Sequence, residues 1–398
     1  MSVPAPADRP DPLGWAPAEI ERLRLAGLLR QRGATPSGAD GPPLVDFGAN
    51  DYLGLRSDPR LAAAAAAAAD RYGWGAGASP VVSGRTEAHA ELEHRIAAFE
   101  GTEAALVFPS GFATNAGVIP ALVDEQDAIL TDERNHASII DGCRLARAER
   151  HVYRHAEAND VERLLRQTAP RRRRLIVTDT LFSMEGDFAP LVEIAQLALD
   201  HGAMLLVDEA HATGVWGGTG RGAVQHLLAD RPDLLPAVTV RVGTLSKALG
   251  SAGGFVAGSA QLIDWLYNRA RSYVFSTACP PAAAAAATAA LGIVTSEPHR
   301  RERVRSLAQQ LRAALAEEGW DTGAAASQIV PVRAGGPEAA VALSRRLAEA
   351  GFYAPAIRPP SVPSGHSLLR LSVSARHSND EIHRLVAALR SARSPRSV

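Results

Sequence analysis

Lysine is nearly absent from this sequence: of its 42 lysines and arginines, all but Lys247 are arginine. Arginine supplies solvation and salt bridges, so those roles do not account for the exception. What arginine cannot supply is a primary amine that sheds its proton and attacks a carbonyl. Lysine in water titrates at about 10.4, and burial lowers that value toward neutrality. Lys247 therefore reads as a Schiff-base candidate. Cysteine is scarce too, and Cys143 and Cys279 have no CxxC spacing. That excludes a disulfide framework or zinc site and predicts a reducing, cytoplasmic setting. A formal net charge of −1 gives no global attraction to nucleic acid or to an anionic membrane. The longest apolar run, "LAAAAAAAA" at 61–69, is too short to span a bilayer and reads as a helix. The leading "MSVPAPADRPDP" has no apolar core of the kind a secretory signal needs.

What is present is an alternation of apolar strands and amphipathic helices. After a loosely attached lead (1–18), Glu19–Arg32 has helical character and "LVDFGANDYLGL" (44–55) reads as a short strand and turn. "EAHAELEHRIAAFEG" is an amphipathic helix ended by Gly101. Strands follow at 104–108, 127–131, 174–180, 203–211 and 238–245, with helices starting at Gly111 and after Asn135. Continuous apolar strands separated by helices predict a mostly parallel sheet covered on both faces. Beyond an Ala-rich helix at 281–294 the pattern becomes α+β. A helix over 298–318 precedes strands near 329–333, 353–358 and 368–373 and a last helix over 379–392. The predicted organisation is an N-terminal segment (1–58), a large domain (59–294) and a smaller α+β C-terminal domain (295–398).

Ligands of parallel α/β sheets bind where the strands end, and several polar residues fall there. Gly111 and Phe112 in "PSGFATN" start a helix, where free backbone N–H groups suit a phosphate. Alone, this is an ordinary Gly-containing turn. "NHAS" brings His136 and "LFSMEGD" brings Ser183, each by itself a common loop residue. Asp208 and His211 follow a buried strand in "LLVDEAH". A carboxylate there can hold a protonated ring nitrogen, and the histidine can donate to a phenolate oxygen. The plainer alternative is an N-cap aspartate with a surface histidine. Thr244, three residues before Lys247, is a further candidate for a phosphate contact. Together these are the parts a pyridoxal 5'-phosphate (PLP) site needs.

Other chemistries fare worse. "VDEAH" matches the DEAH box of nucleic-acid ATPases, but no G-x-x-x-x-G-K-[ST] loop exists to hold a nucleotide. The "RRRR" run at 171–174 directly precedes a strand and reads as a solvated connection. His151 and His155 lack the carboxylate or thiol spacing of a metal site.

The motifs "FGANDYLGL", "GWGAGASPVVSG", "NHASIIDG", "LFSMEGDFAPL", "VDEAHATGVWG", "TLSKALGSAGG" and "AIRPPSVPSGHSLLRLSVSARH", in this order, resemble the α-oxoamine synthases from about residue 20 to 392. The resemblance implies the aspartate-aminotransferase-like PLP fold (fold type I), an α/β architecture, and a cytoplasmic homodimer. It implies that Lys247 binds the cofactor, Asp208 faces the ring nitrogen and His136 stacks on the ring. His211 and Ser183 would lie on the phenolic-oxygen side. Gly111, Phe112 and Thr244 would hold the phosphate, with Thr277 from a partner subunit. Arg30, Asn50 and Ser361 align with substrate contacts, and Arg370 with a carboxylate-binding arginine. "AIRPPSVP" and Ser79 in "GAGASP" are similar to the branch that condenses L-alanine with a pimeloyl thioester in biotin synthesis. The acyl carrier is either CoA or acyl-carrier protein. Relatives that use glycine or serine, including secondary-metabolite enzymes, are the alternatives within the family.

Overall fold

The apolar runs of the first half assemble side by side. The computed structural model describes residues 11–30 and 44–393. Its strands are β1 (Val45–Asp46), β2 (Ala104–Phe108), β3 (Ala128–Asp132), β4 (Glu149–Tyr153), β5 (Arg174–Asp179), β6 (Met204–Asp208), β7 (Val238–Thr244) and β8 (Gly254–Gly258), then β9 (Ile329–Gly335), β10 (Phe352–Tyr353), β11 (Ala356–Ile357) and β12 (Ser367–Ser372). Seven form the central sheet, in the order β2-β8-β7-β6-β5-β3-β4. All its pairings are parallel except those of β8, which runs antiparallel to β2 and β7.

Side chains alternate between the two faces, as the period of a strand requires. Leu206 of β6 packs with Val118, Ile119 and Ile139 from the helices Gly111–Leu122 and Ala137–Leu145. Its neighbours Leu205 and Val207 pack on the other face with Leu164, Leu165 and Ile194, from Ala158–Gln167 and Leu191–Asp200. Sheet and helices thus bury each other's apolar surface, worth about 1.5–3 kcal/mol per fully buried aliphatic side chain. Both Ala-rich segments are helical, over Pro59–Tyr72 and Pro281–Ser296, and share one core with Leu92 and Ile96.

A second core lies beyond Ser296. The helices Pro298–Glu317 and Asn379–Ala392 cover the antiparallel sheet β11-β12-β9, burying Leu307, Leu311, Val330, Leu369 and Leu385. Phe47 belongs to this core as well, and β1 pairs in parallel with β10. The chain before the large sheet is therefore fastened to its end.

Some local expectations shift. The first helix spans Ala16–Leu25 and is over before Gly27, whose φ of 66° is left-handed. The rest of the expected lead (1–10) and Gln31–Arg32 lie outside the described residues. The strand expected at 353–358 is two short pieces, β10 and β11, which join different sheets.

Candidate active site

Five strands of the large sheet deliver polar groups from their C-terminal ends. β6 ends in Asp208, 5% exposed, whose Oδ2 accepts from Asn115 Nδ2 at 2.6 Å and whose Oδ1 accepts from Ala210 N–H at 2.8 Å. β5 ends in Asp179, which accepts the backbone N–H of His136 at 2.7 Å. Burial, and next the charge of Asp208, push the Asp179 carboxyl well above the usual carboxylate range. The loop after β3 carries His136 at the start of helix Ala137–Leu145, where its Nδ1 accepts from Ser138 N–H. Burial lowers the affinity of this imidazole for a proton, Asp208 raises it and Lys247 lowers it again. These four residues therefore share one electrostatic field.

Lys247 follows β7. Its Nζ lies 2.8 Å from Nε2 of His211. Desolvation lowers the amine to about 8, against the raising effect of Asp208 and Asp179. His211 is buried, and burial followed by the charges of Lys247 and Arg370 holds it well below the ordinary imidazole value. A neutral ring has one donor and one acceptor. Tyr52 Oη lies 2.7 Å from His211 Nδ1 and itself donates to Asn50 Oδ1 at 3.1 Å. Nδ1 is then the donor to Tyr52, and Nε2 accepts from the lysine. Gln328 Nε2 fixes the backbone by donating to the His211 carbonyl at 2.6 Å.

Arg370, on β12 and 5% exposed, reaches this cluster from the second core. It donates to Asn50 Oδ1 (2.9 Å), Tyr52 Oη (3.3 Å), Ser372 Oγ (2.8 Å) and the Ser183 carbonyl (2.5 Å). All four acceptors are neutral. A buried guanidinium whose bonds go to neutral oxygens is suited to an anionic ligand.

The helix start at Gly111 packs on the end of β7. A Cβ at Gly111 would lie 3.3 Å from Thr244 Oγ1, and one at Gly254 would lie 2.6 Å from the Gly111 nitrogen. The Ser110 side chain takes the N–H of Ala113 and its carbonyl takes that of Thr114. Among the described residues no acceptor is found for the N–H groups of Gly111 and Phe112. Two free N–H groups beside a threonine hydroxyl form an anion cradle. The cradle, the buried Asp208 and the half-buried amine of Lys247 are the donor set that PLP requires.

His136 and Ser183 line a cavity of about 560 Å³ with Arg134, Glu185 and the segment Pro359–Ser364, which includes Ser361. Lys247, Asp208, His136, His211, Asn50 and Arg370 are linked by hydrogen bonds or by the field they share. Ser79 and Thr277 belong to neither the cluster nor the cavity. They lie on adjoining loops, joined by the Ala278 N–H bond to the Ala78 carbonyl at 3.0 Å. Arg30 is exposed, at the edge of the described residues. The sequence pattern does not mark Tyr52, Asn115, Asp179 or Gln328 as site residues. Tyr52 and Asn115 stand inside quoted motifs, but nothing in their spacing distinguishes them from core residues.

The family described as aminotransferase class I and II matches residues 42–389. The chain belongs to this family. It is 51% identical over 385 residues to an 8-amino-7-oxononanoate synthase of Anaeromyxobacter sp. (strain Fw109-5), covering 95% of each chain. It is 47% identical over 380 residues to the synthase of that name from Geobacter sulfurreducens, covering 93% of this chain and 96% of the other. A serine palmitoyltransferase from S. paucimobilis, solved with a PLP–myriocin aldimine, superposes with a TM-score of 0.89 at 31% identity over 96% of this chain and 98% of that one. An 8-amino-7-oxononanoate synthase from Francisella tularensis gives 0.74 at 26% identity, over 87% and 97%. The fold is thus the PLP-dependent fold type I, and the cofactor is PLP. Backbone likeness is higher to the palmitoyltransferase than to the Francisella synthase, whereas the identities near 50% are to the Anaeromyxobacter and Geobacter synthases. Superposition weighs the placement of every element, whereas identity reports side chains, and substrate choice is made by side chains.

Proposed function

We propose that this enzyme condenses L-alanine with a pimeloyl thioester, releasing CO2 and free thiol to give 8-amino-7-oxononanoate in biotin synthesis. The observation that carries the chemistry is the placement of the only lysine: half-buried, lowered to about 8 and aimed at His211 beside Asp208. The near-full-length identity to synthases of that name supports the substrates.

PLP, when bound, supplies an electron sink for the carbanion at the amino acid's Cα. Lys247 would hold the cofactor, and its amine, freed by the incoming alanine, would take the Cα proton and return one after CO2 has left. Asp208, oriented by Asn115, would hold a proton at the ring nitrogen. His136 would lie against the ring and orient the acyl group, while His211 and Ser183 would face the phenolic oxygen. Gly111, Phe112 and Thr244 would bind the phosphate through the cradle described above. Arg370 would take the alanine carboxylate, its fork held open by Asn50 and Tyr52. The acyl chain would enter the cavity between His136, Ser183 and Ser361, with Arg30 near its approach. CoA and acyl-carrier protein both present the same thioester.

We read the enzyme as a cytoplasmic homodimer; no helix among the described residues is long and apolar enough to cross a membrane. Trp74, Val82 and Phe275 are 75%, 77% and 71% exposed on and near the loops that carry Ser79 and Thr277. A second copy covering these side chains would bring both residues to the neighbouring site together. The division into 1–58, 59–294 and 295–398 belongs to the same proposal.

The test is turnover by purified, PLP-loaded protein with alanine, glycine and serine against CoA and carrier-protein thioesters of graded length. Preference for alanine and the pimeloyl chain is expected. Preference for glycine or serine, whatever the acyl group, overturns the substrate assignment.

A further inference from the structure

His155 lies outside the cluster, and no step above uses it. It follows β4, and its ring spans two loops. Nδ1 lies 3.1 Å from Asp132 Oδ1 and Nε2 lies 3.1 Å from Asp187 Oδ2. A neutral imidazole would turn a lone pair toward one of these carboxylates, so the bridge needs both ring protons. Burial disfavours the charged ring, but the two carboxylates outweigh it and raise the group to about 9. The edge of the ring meets Phe182, with centroids 4.4 Å apart and planes at 89°. Glu133, the remaining acidic group at this junction, accepts the backbone N–H of His155 at 3.2 Å.

Each carboxylate belongs to a loop that lines the cavity. Asp132 ends β3 and accepts the N–H of Arg134 at 2.8 Å, two residues before His136. Asp187 closes the loop that carries Ser183, where its carbonyl accepts the Phe182 N–H at 3.0 Å. Arg134 of the first loop meets Glu185 of the second at 2.8 Å. Outer and inner ties therefore join the same two loops, and the outer one is sheltered: the His155, Asp132 and Asp187 side chains are 13%, 1% and 16% exposed.

We propose that His155 is a positioning residue: by bridging Asp132 and Asp187 it sets the spacing of the loops carrying His136 and Ser183, and so the fit of the acyl thioester. This rests on the reading that the acyl chain enters that cavity. Alanine, held by Arg370 on β12, feels the bridge through one of the four bonds that hold the guanidinium, that to the Ser183 carbonyl, while Asn50, Tyr52 and Ser372 hold it from elsewhere.

The variants are His155→Gln, Asp187→Asn and the pair together. Amide hydrogen exchange is followed at 133–137 and 182–188, with 204–208 as reference, and KM is measured for each substrate. In either single variant, exchange in both loops should rise together by roughly tenfold while β6 stays protected. KM for the acyl thioester should rise by about tenfold, with KM for alanine within about twofold. The double variant should be no worse than the singles, because one bridge is broken only once. Wild-type acyl KM should climb as pH passes about 9, a rise missing from His155→Gln. Unchanged loop exchange overturns the proposal, as does an increase spread evenly over the chain. If wild type shows no turnover of the thioester, the functional reading fails, while the exchange result still decides whether the bridge holds the loops.

Discussion

The amine of Lys247 and Nε2 of His211 are 2.8 Å apart, and among the described residues neither has a carboxylate for a hydrogen-bond partner. The lysine is thus kept close to its neutral form without being paired off. Its folded value of about 8 lies below the value of 10.5 in an open chain. The unfolded chain binds the extra proton between these values, so stability rises with pH from about 8 to about 10.5 and carries the full penalty below about 8. Adduct formation by cofactor-free protein with PLP should follow the neutral amine and accelerate as pH rises through about 8. Lys247→Arg should abolish the borohydride-fixable adduct and lower turnover by at least roughly 10²–10⁴-fold. A rate that rises only near 10.5 would show that the amine is not desolvated.

Asp208→Asn should leave adduct formation at Lys247 intact while slowing Cα proton exchange of bound alanine by about 10²–10³-fold, as for other groups that act on developing charge. Asn115→Leu should reproduce part of the loss by freeing the Asp208 carboxylate. Exchange at the wild-type rate in Asp208→Asn would remove this residue from the reaction.

Arg370→Ala should weaken alanine and glycine alike, by about 2–5 kcal/mol, since both present the same carboxylate to a buried charge. Tyr52→Phe should give a smaller loss of about 1–3 kcal/mol, because it leaves the Arg370 fork and His211 Nδ1 without their shared acceptor. Ligand titrations followed by absorbance compare the two. Equal losses in both variants would mean that Arg370 acts only as a structural tie.

Ser79→Thr should disfavour alanine relative to glycine by roughly 10–200-fold in kcat/KM, the range for one methylene in a pocket. Ser79 lies outside the cavity of its own chain, so on the proposed dimer it would act at the neighbouring copy's site. Sedimentation should therefore find a dimer. An unaltered ratio in a dimeric variant would take Ser79 out of substrate choice.

His155 also carries a stability signature. Its folded value of about 9 exceeds the ordinary 6.5, so its contribution is complete below about 6.5 and is lost as pH climbs through about 9. The difference in Tm between wild type and His155→Gln should shrink over that interval. A difference independent of pH would mean that the ring contributes by packing alone.

The strands that end in site residues were readable because each is a continuous apolar run stopped by polar residues, as at Asp208 and Thr244. The last helix, expected at 379–392, starts at a capping box of Ser378 and Glu381 ahead of an apolar stripe. β8 is not legible in the sequence: "GFVAG" is short and glycine-flanked, and its direction is fixed by pairing with strands distant in sequence. The site divides in the same way. Lys247 stood out by its rarity and Asp208 by its strand. Tyr52, Asn115 and Asp179 act through partners up to 318 residues away, and a single chain of letters does not display those pairings. In the sequence, His155 suggests only a metal ligand beside His151. The carboxylates that hold it lie 23 and 32 residues away, on other elements.

The place of β2 at the sheet's edge bears on how the enzyme is made. Among the described residues its one neighbour is β8, so Phe108 and Gly254 are partners although they stand 146 positions apart in the chain. A nascent chain that has not yet emerged past Gly258 has nothing on which to lay β2, and the turn at Gly111 hangs without Thr244 behind it. Such distant pairings form slowly. Vitamin capture then becomes a late event in biogenesis, and uptake of B6 colour by ribosome-released fragments would mark the length at which the large sheet first closes.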